Sequence, residues 1–294
     1  NLSLQKAHYA AQQIAKLQRA AGAVGFCCAK LGEAEALTTA GVSDILLTSP
    51  VVADQALARL SRLNAAAEGL MVVVDAPEMV AKLGAAARAS GKTLGVVVDL
   101  DIGLHRTGIA PEKAADLAVA VAQEEGLSFE GLQAYAGHLM HLGDAAERAT
   151  KSKAALAMMA GVRDELTRRN LPPKIMSGGG TGTVDIDPAF GVLTELQGGS
   201  YVFMDREYND VWTKADAKPP FETSLFVQTT VISAALPQLC TTDAGLKSFA
   251  TDAGPPVLAT VHLPPDWYPR EALRSGVFLN AVSVTQDWAL RALA

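Results

Sequence analysis

The chain has 294 residues, 49% hydrophobic and 19% charged, the make-up of a globular protein with a sizeable core. A net charge of −6 argues against nucleic acid held on a basic face, and no apolar run approaches the roughly 20 residues of a membrane span. Three cysteines, two of them adjacent at Cys27 and Cys28, are a poor disulfide framework, and no run reads as a secretory signal, so a cytoplasmic location is expected.

In chain order, Leu2–Gln5 is the expected short first strand, and Ala10–Ala21 has helical period. Apolar, β-branched runs then predict strands at Val24–Ala29, Ile45–Ser49, Leu70–Asp75, Leu94–Asp101, Phe129–Tyr135, Ile175–Ser177 and Leu196–Met204. Between them, Ala-rich stretches predict helices at Ala53–Leu63, Glu78–Ser90, Pro111–Glu125 and Ala145–Arg169. Strands alternating with helices mean a parallel sheet, either doubly wound or closed as a (β/α)8 barrel. The barrel is preferred because polar residues gather just after the strands, where a barrel keeps its site. After Asp205 the pattern changes to strands at Glu222–Ser233, Pro256–Leu263 and Gly276–Thr285. The expected organisation is a barrel over residues 1–206 and a smaller β-rich domain over 207–294, with the boundary loop near Lys214–Pro220.

The run Ile175-Met-Ser-Gly-Gly-Gly-Thr-Gly-Thr183 carries the most chemical information. Its glycines expose backbone N–H groups to which a phosphate can bind, and the hydroxyls of Ser177, Thr181 and Thr183 add donors. It lacks the Gly-Lys-Ser/Thr of a P-loop and does not open a helix as a dinucleotide fingerprint does. A glycine-rich turn with no ligand is the plain alternative. Arg106, framed by Gly103 and Gly108, can donate to a ring nitrogen or an anionic substrate, or else pair with Asp99 or Asp101. An arginine on a pyridine nitrogen keeps that nitrogen unprotonated. Tyr135 can stack on a ring or handle a proton, or pack as a core aromatic. His138 and His141, three residues apart, can line a polar site, act as an acid–base pair or bind metal. Cys27 and Cys28 read as small hydrophobes in a strand.

Seven segments, in this order, carry a resemblance: Gly25–Ala36, Asp44–Val52, Asp99–Gly108, Gly131–His138, Ser177–Thr183, Glu195–Asp205 and Thr242–Ser248. Together they resemble the D-threonine aldolase and D-serine dehydratase-like family of fold-type III pyridoxal-phosphate enzymes. The resemblance spans about residues 10–256. It implies an alanine-racemase-like barrel with a β-domain, a homodimer, and pyridoxal 5′-phosphate bound through a lysine at the end of the first strand. By matching position it places Arg106 at the pyridine nitrogen and Tyr135 beside the ring. Gly179, Gly180 and Thr181, with Ser177, then hold the phosphate, and Tyr201 completes that side. The implied substrate is a β-hydroxy-D-amino acid. D-Threonine aldolase chemistry, giving glycine and acetaldehyde, comes first. Dehydration of D-serine or 3-hydroxy-D-aspartate to a keto acid and ammonia is the alternative, and an inactive homologue that holds the cofactor is the third reading. A racemase is disfavoured for want of a convincingly placed opposite-face tyrosine, with Tyr208 and Tyr268 as the untested positions.

The chain departs from the family's pattern at both ends. The lysine motif is reduced to Lys6-Ala-His8, with an upstream histidine and a second lysine absent; Lys6 is the expected Schiff-base lysine, with His8 as its catalytic companion. A second reading makes residues 1–10 the remnant of the preceding helix, with the true lysine loop missing from this chain. The family's metal-ligand motif, which would hold a divalent ion such as Mn, Mg or Zn, finds no match after Pro256, where His262 is followed by Leu263 and Pro264.

Overall fold

A computed structural model describes residues 2–213, 217–236, 239–245, 248 and 289–293. Contacts divide the chain into two units. The first comprises residues 1–138, 151–179 and 185–197, and the second 139–150, 180–184 and 198–294.

The first unit is built on seven strands: β1 (Phe26–Cys28), β2 (Ile45–Leu47), β3 (Met71–Val74), β4 (Leu94–Asp99), β5 (Leu127–Ala134), β6 (Ile175–Gly178) and β7 (Glu195–Leu196). They pair in chain order, every neighbour parallel. Helices α1 (Leu2–Ala20), α2 (Leu31–Thr39), α3 (Asp54–Ala66), α4 (Val80–Ser90) and α5 (Pro111–Gln123) lead into or connect the strands, and α6 (Ala145–Arg168) precedes β6. Parallel strands need such crossovers, and being covered on both faces they are written as continuous apolar runs. β4 follows that rule, with all of Leu94–Asp99 buried.

Register assigns the faces. Leu46, Val73 and Val97 form one core cluster on the face termed inner here. Glu130 is left unpaired between Phe129, opposite Val96, and Gly131, opposite Val97, and this bulge brings Gln133 onto the same face. One row across the inner face then reads Asp99, Gln133, Ser177, Glu195. The sheet curls: Glu195 on the last strand adds to the upward shift of the Cys27 thiol on the first, which desolvation chiefly pushes up to about 12. Cys27 and Cys28 are free thiols, Cys28 buried as a small hydrophobe and Cys27 on the inner face.

Two expected strands are corrected, and one helix was not read. Leu2–Gln5 is not a strand but the first part of α1. Leu, Gln, Lys and Ala are all good helix formers, so the Ala-rich period runs back to the start of the described chain. The long strand expected over Leu196–Met204 ends at Leu196, because Gly198 and Gly199 break it and a 3₁₀ turn follows at Ser200–Val202. Helix α2 went unread because its nine residues show little amphipathic stripe; its start is fixed instead by the Glu33 carboxylate, which accepts from Ala29 N–H at 2.9 Å and Lys30 N–H at 3.1 Å.

The second unit contains α7 (Arg206–Thr213) and strands β8 (Phe226–Leu236), β9 (Leu239–Thr242) and β10 (Ala289–Leu293), ordered β10-β8-β9. α7 also went unread in the sequence; the Asp205 carboxylate caps it by accepting from Tyr208 N–H at 2.8 Å. β8 takes the place of the strand expected at Glu222–Ser233. The strands expected at 256–263 and 276–285 lie outside the described residues, as do residues 214–216 of the expected boundary loop, His262 and Tyr268.

Candidate active site

In the first unit, the turn that follows β4 is closely tied by hydrogen bonds. The chain leaves β4 at Asp99 and returns through a bridge between Leu100 and Ile109. Asp101 organises the turn: its Oδ1 accepts from Gly103 N–H and His105 N–H, each at 3.0 Å, and its Oδ2 lies 2.7 Å from His105 Nδ1. Gly108 closes it with φ +109°, and a Cβ there would come within 2.4 Å of Asp101 N. Its own N–H donates to Asp75 Oδ2 at 3.1 Å.

At the tip of this turn stands Arg106, exposed, with no carboxylate paired to it among the described residues. Asp101 is taken by His105, and Asp99 accepts from Thr107 Oγ1 at 2.8 Å and Gln133 Nε2 at 2.9 Å. The salt bridge offered in sequence as the plain explanation of Arg106 is therefore absent among the described residues. The guanidinium carbon lies 5.5 Å from the centroid of the Tyr135 ring, a cation–π contact. Burial raises the Tyr135 phenol above its ordinary value, and Arg106 offsets part of the rise.

Beneath these two residues the inner face carries a polar chain. Gln197 Nε2 donates to Gln133 Oε1 at 3.0 Å and to Ser177 Oγ at 2.9 Å, and Gln133 passes the chain on to Asp99. Asp99, Gln133 and Ser177 are 3%, 1% and 0% exposed, so each hydrogen bond replaces lost water. Desolvation of Asp99 outweighs its two hydrogen bonds, and its carboxyl is held above the usual range. Ser177 belongs to β6 and faces this chain. Asp75, Asp99, Gln133 and Gln197 were not singled out as site residues in sequence; the signal that could have found them is a polar residue at a strand's inward register.

His138 is at the same strand ends, its ring 3.3 Å from where a Cβ on Gly103 would stand. Desolvation and the neighbouring His105 lower its pKa, favouring a neutral imidazole. His141 belongs to the second unit, where its ring lies 4.5 Å from that of Tyr208 and 3.9 Å from the Glu207 carboxylate. Among the described residues no group of three or more His, Cys, Asp or Glu could hold a metal ion.

The glycine loop leaves β6 through Gly179, whose φ is +64°. In the second unit it continues as a 3₁₀ turn over Thr181–Thr183. Thr181 Oγ1 accepts from Tyr201 N–H at 3.0 Å, and Thr183 Oγ1 accepts from Gly180 N–H at 3.3 Å. The Tyr201 ring packs on Phe221 with centroids 5.4 Å apart.

Lys6 and His8 fall in the N-terminal part of α1. α1 runs back along α2, with Gln12 reaching Ala36 O and Arg19 reaching Ser43 O and Asp44 at the start of β2.

Comparison with known proteins gives the family. The model for the N-terminal domain of alanine racemase matches residues 5–207. The chain belongs to this family. It is 38% identical over 248 residues to a 3-hydroxy-D-aspartate aldolase of Paracoccus denitrificans, covering 83% of this chain and 64% of that protein. To a D-threonine aldolase of an Arthrobacter species it is 38% identical, over 84% of this chain and 64% of the relative. A crystal structure of D-threonine aldolase from Filomicrobium marinum superposes with a TM-score of 0.79 at 37% identity, covering 85% of this chain and 66% of that one. A D-threo-3-hydroxyaspartate dehydratase of a Delftia species is more distant, 27% identical over 65% of this chain and 51% of the relative. The chain spans about 64% of the length of the aldolases it matches. The alanine-racemase-like barrel expected from the sequence is thus the fold of this chain, with seven of its strands described.

Proposed function

We propose that the chain is part of a pyridoxal-phosphate-dependent lyase that splits the Cα–Cβ bond of a β-hydroxy-D-amino acid, releasing an aldehyde and leaving glycine. The observation that carries the aldolase reading is that relatives at 38% identity over more than four-fifths of the chain are aldolases, whereas the dehydratase stands at 27%. D-Threonine and 3-hydroxy-D-aspartate are the substrates to test.

The residues present fit the cofactor implied by the family. Arg106 is a permanent donor, held on a rigid turn without a carboxylate of its own among the described residues, beside an aromatic ring. It would hold the pyridine nitrogen and keep it unprotonated, while Tyr135 would lie beside the ring and the glycine loop would take the phosphate. When bound, pyridoxal phosphate supplies the electron-poor ring that accommodates the electron pair left on Cα. Tyr135, with its phenol shifted upward, stays protonated near neutral pH and serves as a donor rather than a base. His138, shifted toward its neutral form, and His8 are the two candidates to take the β-hydroxyl proton. That proton leaves as the Cα–Cβ bond breaks and the aldehyde departs; Cα then takes up a proton to give glycine.

Lys6 is the candidate for the covalent anchor. The same reading carries a homodimer, a cytoplasmic location and the division into residues 1–206 and 207–294. The resemblance also implies a divalent metal, whose ligand motif has no match in the sequence. The test is borohydride reduction of the protein with added pyridoxal 5′-phosphate, followed by peptide mass mapping, alongside assay of aldehyde and keto acid release. A pyridoxyl adduct on Lys6 with aldehyde released is the expected result. An adduct on another lysine moves the anchor, keto acid and ammonia select the dehydratase, and an adduct without turnover selects the inactive homologue.

A further inference from the structure

One buried charge takes no part in the reaction just described. Arg148, in the first turn of α6, is 1% exposed. Its Nη1 donates to the carbonyl of Leu142, while its Nε has no hydrogen-bond partner and no carboxylate pairs with it among the described residues. Removing a guanidinium from water without a counter-charge opposes folding, and an apolar side chain of similar size would pack there at lower cost. A device built at that expense calls for a role other than stability.

The contacts of Arg148 lead to the glycine loop. Leu142 N–H donates to Leu139 O at 3.2 Å, closing a turn over Leu139–Leu142, and Arg148 holds the far end of that turn. Met140, inside the turn, lies directly against Gly182: a Cβ on Gly182 would come within 2.1 Å of Met140 O and 2.8 Å of its carbonyl carbon. Gly182 is the middle residue of the Thr181–Thr183 turn, whose first hydroxyl accepts from Tyr201 N–H. The glycine is thus required by close backbone packing, and the wall it packs on is pinned by Arg148. All of these residues belong to the second unit.

We propose that Arg148 is a positioning residue for a bound phosphate. It fixes the Leu139–Leu142 turn behind the glycine loop, and its buried positive charge, which pairs with no carboxylate among the described residues, favours an anion on the loop. The inference rests on the reading of this loop as the phosphate site.

The experiment measures dissociation constants of the full chain for pyridoxal 5′-phosphate and for pyridoxal, which lacks the phosphate, together with thermal unfolding. The two variants are Arg148→Met, which removes charge and brace, and Arg148→Gln, which keeps a donor for the carbonyl. Wild type is expected to prefer the phosphorylated form. Arg148→Met is expected to unfold at or above the wild-type temperature and yet lose that preference tenfold or more, with pyridoxal binding unchanged. Arg148→Gln is expected to lose it threefold to tenfold, and it decides the matter alone if Arg148→Met does not fold. A folded variant whose preference stays within twofold of wild type overturns the proposal, as does an equal loss for both ligands. Wild type without any preference for the phosphorylated form overturns instead the reading of the loop.

Discussion

The two ends of the parallel sheet in the first unit treat their polar groups in opposite ways. Where the strands begin, a cavity of about 350 Å³ is lined by residues that include Asp44, Asn64, Lys92 and Glu130. Those four side chains have local partners. Arg19 pairs with Asp44 at 2.9 Å, Asn64 donates to Ser90 Oγ and Lys92 O, Lys92 Nζ donates to Ala67 O, and Lys174 pairs with Glu130 at 3.0 Å. Where the strands finish, Arg106 has no carboxylate among the described residues, Asp99 is buried at a cost to its ionised form, and Tyr135 is shifted upward. One end settles its charges internally and the other holds them ready for something else. Within one fold, this marks which end serves stability and which serves chemistry.

Substitutions at the two ends should separate those roles. Arg106→Ala is expected to have the largest effect, lowering kcat/KM roughly a hundredfold or more through loss of a placed donor. Its unfolding free energy should move by no more than about 0.5 kcal/mol, because the side chain is exposed and has no carboxylate partner among the described residues. A collapse of the fold with the activity would make Arg106 a structural residue and erase the contrast between the ends.

The next effect in size belongs to Asp99. Its folded pKa lies above the unfolded value, so the native state binds its proton the more tightly. That contribution to stability is full below about pH 4, the ordinary carboxylate range, and is lost as pH rises through the raised folded value. Asp99→Asn, whose amide can still accept from Gln133 and donate to Thr107, should flatten the fall in stability across that window. Urea unfolding of both proteins at a series of pH values reads it; parallel curves would mean that Asp99 titrates as it does when unfolded. The smallest effect is expected from Arg19→Ala. Both partners of its pair with Asp44 are more than a third exposed, so solvent screening limits the loss to about 1 kcal/mol or less. Turnover should be unchanged, and any fall in kcat/KM would show the two ends to be coupled.

How much of this was legible beforehand differs by element. Buried parallel strands announce themselves as short apolar, β-branched runs, and β2 to β6 lie where those runs stand. The turn after β4 was equally readable, because Gly103 and Gly108 frame Arg106 and their positive φ values explain the glycines. The strand expected at Leu2–Gln5 was misread because four residues show no period, and the Ala-rich stretch that follows extends the helix backward.

By itself, then, the sequence determined the alternation of strands and helices and the presence of a glycine loop and a glycine-framed arginine. Composition and local backbone preference are enough for those. Only the tertiary structure decided that Asp99, Gln133, Ser177 and Gln197 form one chain, since a bulge at Glu130 sets the register that brings them to the inner face. It alone decided, too, that Arg148 is buried and bound to Leu142 while Arg106 is left exposed. An arginine carries the same charge wherever it is written; which one is dry and which one is wet depends on the elements that close around it.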